Sequence, residues 1–169
     1  MEQRIDTAQP TAGIAPPAAE PHLKIQALIS RIRQEVPEDR RDALSAFAKA
    51  YTRRFAPEDL AETPDDILLA KVRSTFEFAD SRGRSPNAVR VFDPGVAVDG
   101  YEAFGSVLET TTDDSPVLVD SVVEELGARG LAALQVLHPV VGTVRDHAGR
   151  IERVTPARDA DHRESVMHI

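Results

Sequence analysis

Apolar residues in the first half of the chain recur at the spacing of amphipathic helices. A first helix is predicted from about His22, and a second over about 37–55. A third begins at Thr63-Pro64, where proline suits the first helical position and acidic residues follow in the first turn. The three apolar stripes contain Leu23, Ile25, Leu28, Ile29, Ile32 and Val36, then Leu44, Phe47, Ala48 and Tyr51, then Ile67, Leu68, Val72, Phe76 and Phe78. The pattern therefore predicts a helical module over residues 22–80.

Beyond the polar, glycine-containing segment 81–87, the apolar residues fall into short runs rich in β-branched side chains, which are typical of strands. Strands are predicted at 88–92, 104–111, 132–145, 151–154 and 164–169, with one helix over 116–129. Gly130 would end that helix, and Gly149 stands in a hairpin turn where a positive φ is needed. The chain is therefore predicted to be an α+β protein in which a helical module precedes a sheet.

The order strand, helix, strand, strand is the opening of a ferredoxin-like βαββαβ unit. No sequence remains for a second helix and a last strand, so the unit over 88–169 is expected to be incomplete at its C-terminus. In the ferredoxin-like order the absent strand would pair with the strand at 106–111, which would become an exposed edge. The strand that contains Pro139 is likewise expected at an edge, where proline is tolerated. Residues 1–20, rich in Ala, Pro, Thr and Gln, are interpreted as a disordered leader.

The predicted strand before the long helix ends in an acidic turn, Asp113-Asp114-Ser115. Ser115 would be the N-cap of the helix and Pro116 its first residue. Free backbone N–H groups at such a helix start can bind a small anion such as an amino-acid carboxylate, so these three residues form a candidate ligand-binding turn. Capping alone also explains them, because acids and serine are favoured at helix N-termini, and an acidic side chain would repel a carboxylate ligand.

Composition excludes several classes of function. The 169 residues carry a net charge of −8, which argues against nucleic acid or an anionic membrane as partner, and the absence of cysteine excludes disulfides and thiolate catalysis. No apolar run is long enough to span a bilayer and no signal-peptide pattern is present, so a cytoplasmic location is predicted. His138 is interpreted as structural and His162 as part of a solvated loop. No catalytic, cofactor-binding or metal-binding residue is predicted.

Six segments, taken in order, resemble the N-terminal region of the very large bacterial NAD-specific glutamate dehydrogenases. They are Ala50-Tyr51-Thr52-Arg53-Arg54-Phe55, Pro57-Glu58-Asp59-Leu60, Val89-Arg90-Val91-Phe92-Asp93-Pro94, Thr112-Asp113-Asp114-Ser115-Pro116-Val117-Leu118-Val119-Asp120-Ser121, His138-Pro139-Val140 and Glu164-Ser165-Val166-Met167-His168-Ile169. The similarity runs from about residue 40 to the end of the sequence. No single segment is decisive, and the resemblance rests on their succession.

The resemblance implies an ACT-like regulatory domain over 88–169. The family's enzymes convert L-glutamate, NAD and water to 2-oxoglutarate, ammonia and NADH in amino-acid catabolism, with catalytic and NAD-binding residues far downstream. This sequence has no Gly-x-Gly-x-x-Gly fingerprint, so it is expected to be a regulatory and assembly fragment that is not catalytic alone. Its implied partners are the rest of the polypeptide or its oligomer, and an amino-acid effector. The alternatives are a stand-alone ACT-type amino-acid-binding protein and, least favoured, a small enzyme.

Overall fold

Helices form the first half of the part of the chain that the computed structural model describes, residues 21–169. They are α1 (Pro21–Glu35), α2 (Glu38–Thr52), α3 (Pro57–Glu62) and α4 (Asp65–Ser81). α1, α2 and α4 confirm the three predicted helices. α3 is an additional short helix, which begins with proline and has acidic residues in its first turn. The leader predicted at 1–20 lies outside the described residues.

An antiparallel sheet forms most of the second half. Its strands are β1 (Asn87–Phe92), β2 (Val107–Asp113), β3 (Val140–Arg145), β4 (Ile151–Pro156) and β5 (Arg163–His168). The order across the sheet is β1-β2-β5-β3-β4, and every neighbouring pair is antiparallel. The helices α5 (Val96–Asp99) and α6 (Leu118–Ala128) and a 3₁₀ turn (Ala157–Asp159) lie between strands. The predicted α+β fold, helices followed by an antiparallel sheet, is confirmed.

The order of the strands differs from the ferredoxin-like order in two places. The prediction that the strand at 106–111 is an exposed edge is wrong. β5 returns to the middle of the sheet and pairs with β2, so that Glu109 lies opposite His168. The strand near Pro139 is also not at an edge, because β3 lies between β5 and β4. The outer strands are therefore β1 and β4.

Pro139 also explains why the predicted strand 132–145 is shorter in the structure. β3 begins at Val140, and upstream of it Leu137 forms only an isolated bridge with His168. Proline has no N–H to donate to the ladder, and its carbonyl accepts the N–H of Val166 at 3.0 Å. Pro139 therefore lies where the ladder of strand pairing is interrupted. Proline is tolerated at such a position inside a sheet, as it is at a β-bulge.

The helices and the sheet share one apolar core. The Phe47 ring contacts those of Tyr51 and Phe76, with centroids 5.9 and 5.4 Å apart. The same cluster of buried residues continues into the strands through Val141, Ile151, Val154 and Val166. The sheet therefore buries one face against the helices, as an amphipathic layer must. The domain boundaries at 22–80 and 88–169 stay a prediction, but the two segments pack together.

Two glycines adopt the backbone that the sequence predicts. Gly149, in the turn between β3 and β4, has φ +87°, and Gly130, just after α6, has φ +75°.

The predicted N-cap of α6 is wrong: Val117 holds that position at φ +60°, and no side chain caps the helix. No residue of α6 is buried, so the helix lies at the surface of the domain.

Candidate functional site: the acidic turn and two buried glutamates

Asp113, the first residue of the predicted ligand-binding turn, is the last residue of β2 and lies opposite Glu164. Its Oδ1 accepts a hydrogen bond from Arg82 Nη1 at 3.0 Å, and the same oxygen lies 3.5 Å from His162 Nε2. The carboxylate is therefore already paired with a cation of this chain. His162 lies beside acids in an exposed loop, as the sequence indicated.

The next two residues of the turn are arranged differently. Asp114 Oδ2 lies 3.6 Å from Arg163 Nε, and the Asp114 N–H donates to the Arg163 carbonyl at 2.9 Å. Ser115 is exposed, and within residues 21–169 its side chain makes no hydrogen bond. Ion pairing fits the alternative in which the acids are structural, whereas ligand binding by Asp113, Asp114 and Ser115 stays a prediction.

Behind this turn, the Glu164 side chain is completely buried between arginines. Arg145 donates from Nε to Oε1 and from Nη2 to Oε2, both at 2.7 Å, in the two-pronged geometry that guanidinium and carboxylate groups favour. Thr143 Oγ1 donates at 2.6 Å, and Arg82 Nη2 lies 3.0 Å from Oε1. Burial alone would raise the pKa of Glu164, but the hydrogen bonds of Arg145 and Thr143 and the charges of Arg145 and Arg82 lower it overall.

Glu109 on β2 forms a second buried network. Its Oε1 accepts from Thr75 Oγ1 at 2.7 Å and lies 2.7 Å from His168 Nδ1, while Arg90 Nε donates to Oε2 at 2.6 Å. Burial would raise the pKa of Glu109, but His168, Thr75 and Arg90 outweigh it and lower the pKa. Because Thr75 is in α4 and His168 in β5, this glutamate fastens the helices to the centre of the sheet.

Aromatic groups surround the Glu109 network. The Tyr51 ring meets the His168 ring edge-on, with centroids 6.1 Å apart, and Arg90 stacks over the rings of Phe78 and Phe92. Burial raises the pKa of the Tyr51 hydroxyl, and burial with the nearby Glu109 charge raises that of Tyr101 to about 12. Both phenols therefore stay neutral at physiological pH.

Neither buried glutamate was among the site residues predicted from the sequence. One feature of the sequence does indicate that Glu109 is buried, the two-residue period of strands. Glu109 shares a face of β2 with Val107 and Thr111, and all three are buried. An acid on the inward face of a strand needs a buried partner, because a lone charge there would be strongly unfavourable. The pattern could thus have marked Glu109 as buried, but it could not have named its partners in α4 and β5.

The two buried glutamate networks are suited to stabilising the fold rather than to catalysing a reaction. Both buried carboxylates are saturated by donors, so neither has a free oxygen for a reacting group. Within residues 21–169, no group of three His, Cys, Asp or Glu side chains comes together as a metal site. None of the helices described is long and apolar enough to cross a membrane.

Acidification should destabilise the fold through these two glutamates. Their pKa values lie below the ordinary 4.5 in the folded protein, so the unfolded chain takes up protons first as the pH falls. Their contribution is therefore complete above the unfolded pKa and is lost as the pH falls through the folded pKa. Urea unfolding at several pH values between about 7 and about 3 should show this loss. A free energy of unfolding that is constant across that range would contradict the assignment.

Helices packed on one face of an antiparallel sheet, with buried charged groups paired within the chain, define an α+β domain. The family comparison is more specific. A family model described as "Glutamate dehydrogenase, ACT1 domain" matches residues 47–169, and the chain belongs to this family.

Two curated relatives agree with this assignment. The NAD-specific glutamate dehydrogenase of Halomonas elongata is 27% identical over 148 residues, which cover 86% of this chain and 9% of the relative. The protein of the same name from Pseudomonas aeruginosa is 24% identical over 130 residues, covering 75% of this chain and 8% of the relative. The chain thus spans less than a tenth of the length of these proteins. No solved structure matches the chain significantly.

Proposed function

We propose that this chain is the N-terminal regulatory and assembly segment of an NAD-dependent glutamate dehydrogenase. That enzyme would convert L-glutamate, NAD and water to 2-oxoglutarate, ammonia and NADH. The observation that carries the proposal is the match of residues 47–169 to the ACT1 domain of that family. The low coverage of the relatives fits a segment that works together with a much longer polypeptide.

The described residues support a non-catalytic role for this segment. The buried acids are held by ion pairs and hydrogen bonds, and the acids of the turn, Asp113 and Asp114, lie beside Arg82 and Arg163. NAD and glutamate would therefore bind to other parts of the enzyme. In this proposal an amino-acid effector would bind at the turn formed by Asp113, Asp114 and Ser115, where Ser115 has an unused hydroxyl.

The purified 169-residue chain should have no glutamate dehydrogenase activity. The physical reason is that its two buried carboxylates, Glu109 and Glu164, are engaged in structure and its sequence has no dinucleotide-binding fingerprint. The measurement is glutamate-dependent formation of NADH, with the intact enzyme as the positive control. A rate above the blank that follows the pure polypeptide through several chromatographic steps would contradict the proposal.

The regulatory role is tested in the natural longer protein. Deleting residues 1–169 should change the size of the assembly, or its response to amino acids, while the remaining polypeptide still oxidises glutamate. Ser115→Ala should weaken an effector response, and Ser106→Ala, at another exposed serine, is the matched control. An enzyme without these residues that assembles and responds as the intact protein does would overturn the proposal.

A further inference from the structure

A cavity of about 360 Å³ lies between α2, α4 and the hairpin turn that joins β3 to β4. Its volume is within the range of small-molecule sites, about 300–1,000 Å³. The charged side chains that line it are Arg40, Arg73, Glu77, Asp80 and Arg150. Three of these are cations and two are anions, whereas the whole chain has a net charge of −8. Positive charge is therefore concentrated in this cavity, which is called the arginine cavity below.

Arg40 and Asp80 form the fixed part of the arginine cavity. Arg40 Nη2 donates to Asp80 Oδ2 at 2.8 Å, and Arg40 Nη1 donates to the Ile151 carbonyl at 2.9 Å. The Arg40 guanidinium also lies over the Phe76 ring, 5.0 Å from its centroid. The other oxygen of Asp80, Oδ1, accepts the N–H of Ile151. Both side chains are mostly buried, so their opposite charges compensate each other within the chain.

Arg73 and Arg150 are held much more loosely. Arg73 Nη2 lies 3.9 Å from Glu77 Oε1, and Arg150 Nε lies 3.6 Å from Asp80 Oδ2, distances that are too long for hydrogen bonds. Within residues 21–169 neither guanidinium donates a hydrogen bond, and the two side chains are 45% and 61% exposed. A guanidinium has five N–H donors in a planar fork that suits carboxylate and phosphate oxygens. Both groups therefore have donors available for a ligand in the same cavity.

The backbone that carries these two arginines is fixed. Arg73 is in α4, and the N–H of Arg150 donates to Asp146 Oδ1 at 2.8 Å in the hairpin turn. Arg145 Nη1 supports the same turn by donating to the Gly149 carbonyl at 2.7 Å. Only the side chains of Arg73 and Arg150 would therefore have to move to meet a ligand.

We propose that the arginine cavity binds a small oxyanion with two negative charges, whose oxygens pair with Arg73 and Arg150. The Arg40–Asp80 pair is already compensated, so the ligand meets two positive charges, and a singly charged anion would leave one of them unpaired. The buried Phe76 ring lines the same cavity, and charges are screened less beside apolar groups than in open water. A dicarboxylate and a phosphate group are the two sources of such an anion.

Glu77 is the group that this ligand would displace. Its carboxylate lies beside Arg73 without a hydrogen bond, and its side chain is 69% exposed. Exposed ion pairs of this kind contribute little to stability, so Glu77 can turn into solvent when the anion pairs with Arg73. Removing the charge of Glu77 should therefore raise the affinity for the anion.

Isothermal titration calorimetry of the 169-residue chain tests the proposal. The probes are inorganic phosphate and succinate, at constant ionic strength and a slightly alkaline pH at which both carry two negative charges, with acetate as the singly charged control. Binding of phosphate alone or of succinate alone would support the proposal and identify the source, and binding of both would show that charge decides. If neither probe bound more tightly than acetate, the proposal would be overturned.

Variants locate the binding in the arginine cavity. Arg73→Ala and Arg150→Ala should each lower the affinity about tenfold or more, because each removes hydrogen bonds between charged groups. Arg153→Ala, at an exposed arginine of β4 outside the cavity, is the matched control and should leave the affinity unchanged. Glu77→Gln should raise the affinity, and circular dichroism shows that each variant is folded. An affinity that is unaffected by Arg150→Ala, or lowered by Glu77→Gln, would contradict the proposal.

These tests do not depend on the proposed enzyme. Anion binding rests on the arginine cavity alone, so it can fail while the regulatory role of the segment holds. The turn formed by Asp113, Asp114 and Ser115 does not line this cavity, and Ser115→Ala should leave anion binding unchanged. Conversely, an anion bound between Arg73 and Arg150 says nothing about whether the longer protein oxidises glutamate.

Discussion

Replacing Glu164 by alanine should lower the free energy of unfolding by about 3–5 kcal/mol. The side chain is completely buried, and Arg145 and Arg82 would lose the carboxylate that compensates them. An uncompensated buried charge costs far more than the net stability of the intact pair. Urea unfolding followed by circular dichroism measures the effect.

The control for this prediction is Glu152→Ala, which removes an exposed glutamate from β4 and should change stability by about 0.5 kcal/mol or less. Glu164→Gln keeps the volume and some hydrogen bonds, so it should be less destabilising than alanine and should fold even if Glu164→Ala does not. If Glu164→Ala and Glu152→Ala were equally stable, the buried network would not support the fold as described.

Replacing Gly149 by alanine should destabilise the protein by about 2–4 kcal/mol. Gly149 has φ +87°, a conformation that costs residues with a Cβ atom energy. A Cβ atom there would also lie 2.6 Å from the carbonyl carbon and 2.8 Å from the Cα of Gly83, and backbone atoms of this kind cannot easily move. The midpoint of urea unfolding is again the measurement.

Gly127→Ala is the matched control, because alanine at this position should raise the free energy of unfolding slightly or leave it unchanged, whereas at position 149 it should lower it. Gly127 lies within α6, has no positive φ, and has open space where its Cβ would be. Alanine is favoured over glycine in a helix by roughly 1 kcal/mol, so this variant should be as stable as the native chain or more so. Comparable destabilisation by the two changes would contradict the close contact between Gly149 and Gly83.

Both sites show that the segment after α4 is tightly packed against the sheet. Arg145 of β3 donates to the carbonyl of Ala79 at 2.9 Å, near the end of α4. Arg82, in the segment interpreted from its composition as a polar connection, is buried and reaches both Asp113 and Glu164. Composition marks the end of the helix there, but burial by the folded sheet makes Arg82 part of the core.

Local features were predictable because nearby residues determine them. The apolar period placed α1, α2 and α4, and the turn at Gly149 was correct because a positive φ selects glycine whatever surrounds it. The segment predicted as a turn follows β2, whose last residue is Asp113, but the predicted helix cap was wrong. Val117 took the N-cap with a positive φ, although Ser115 had the better capping side chain.

The amino-acid sequence by itself determined the order and type of the main helices and strands and the α+β class, because periodicity and turn residues act over a few positions. The resemblance to the glutamate dehydrogenase family also came from the sequence, through six segments in succession. Only the tertiary structure decided that β5 enters the middle of the sheet, that β1 is left at an edge, and that Glu109 and Glu164 find their partners. Pairing of strands far apart in sequence depends on the net free energy of the whole core, since a two-residue period specifies a face but not a neighbour.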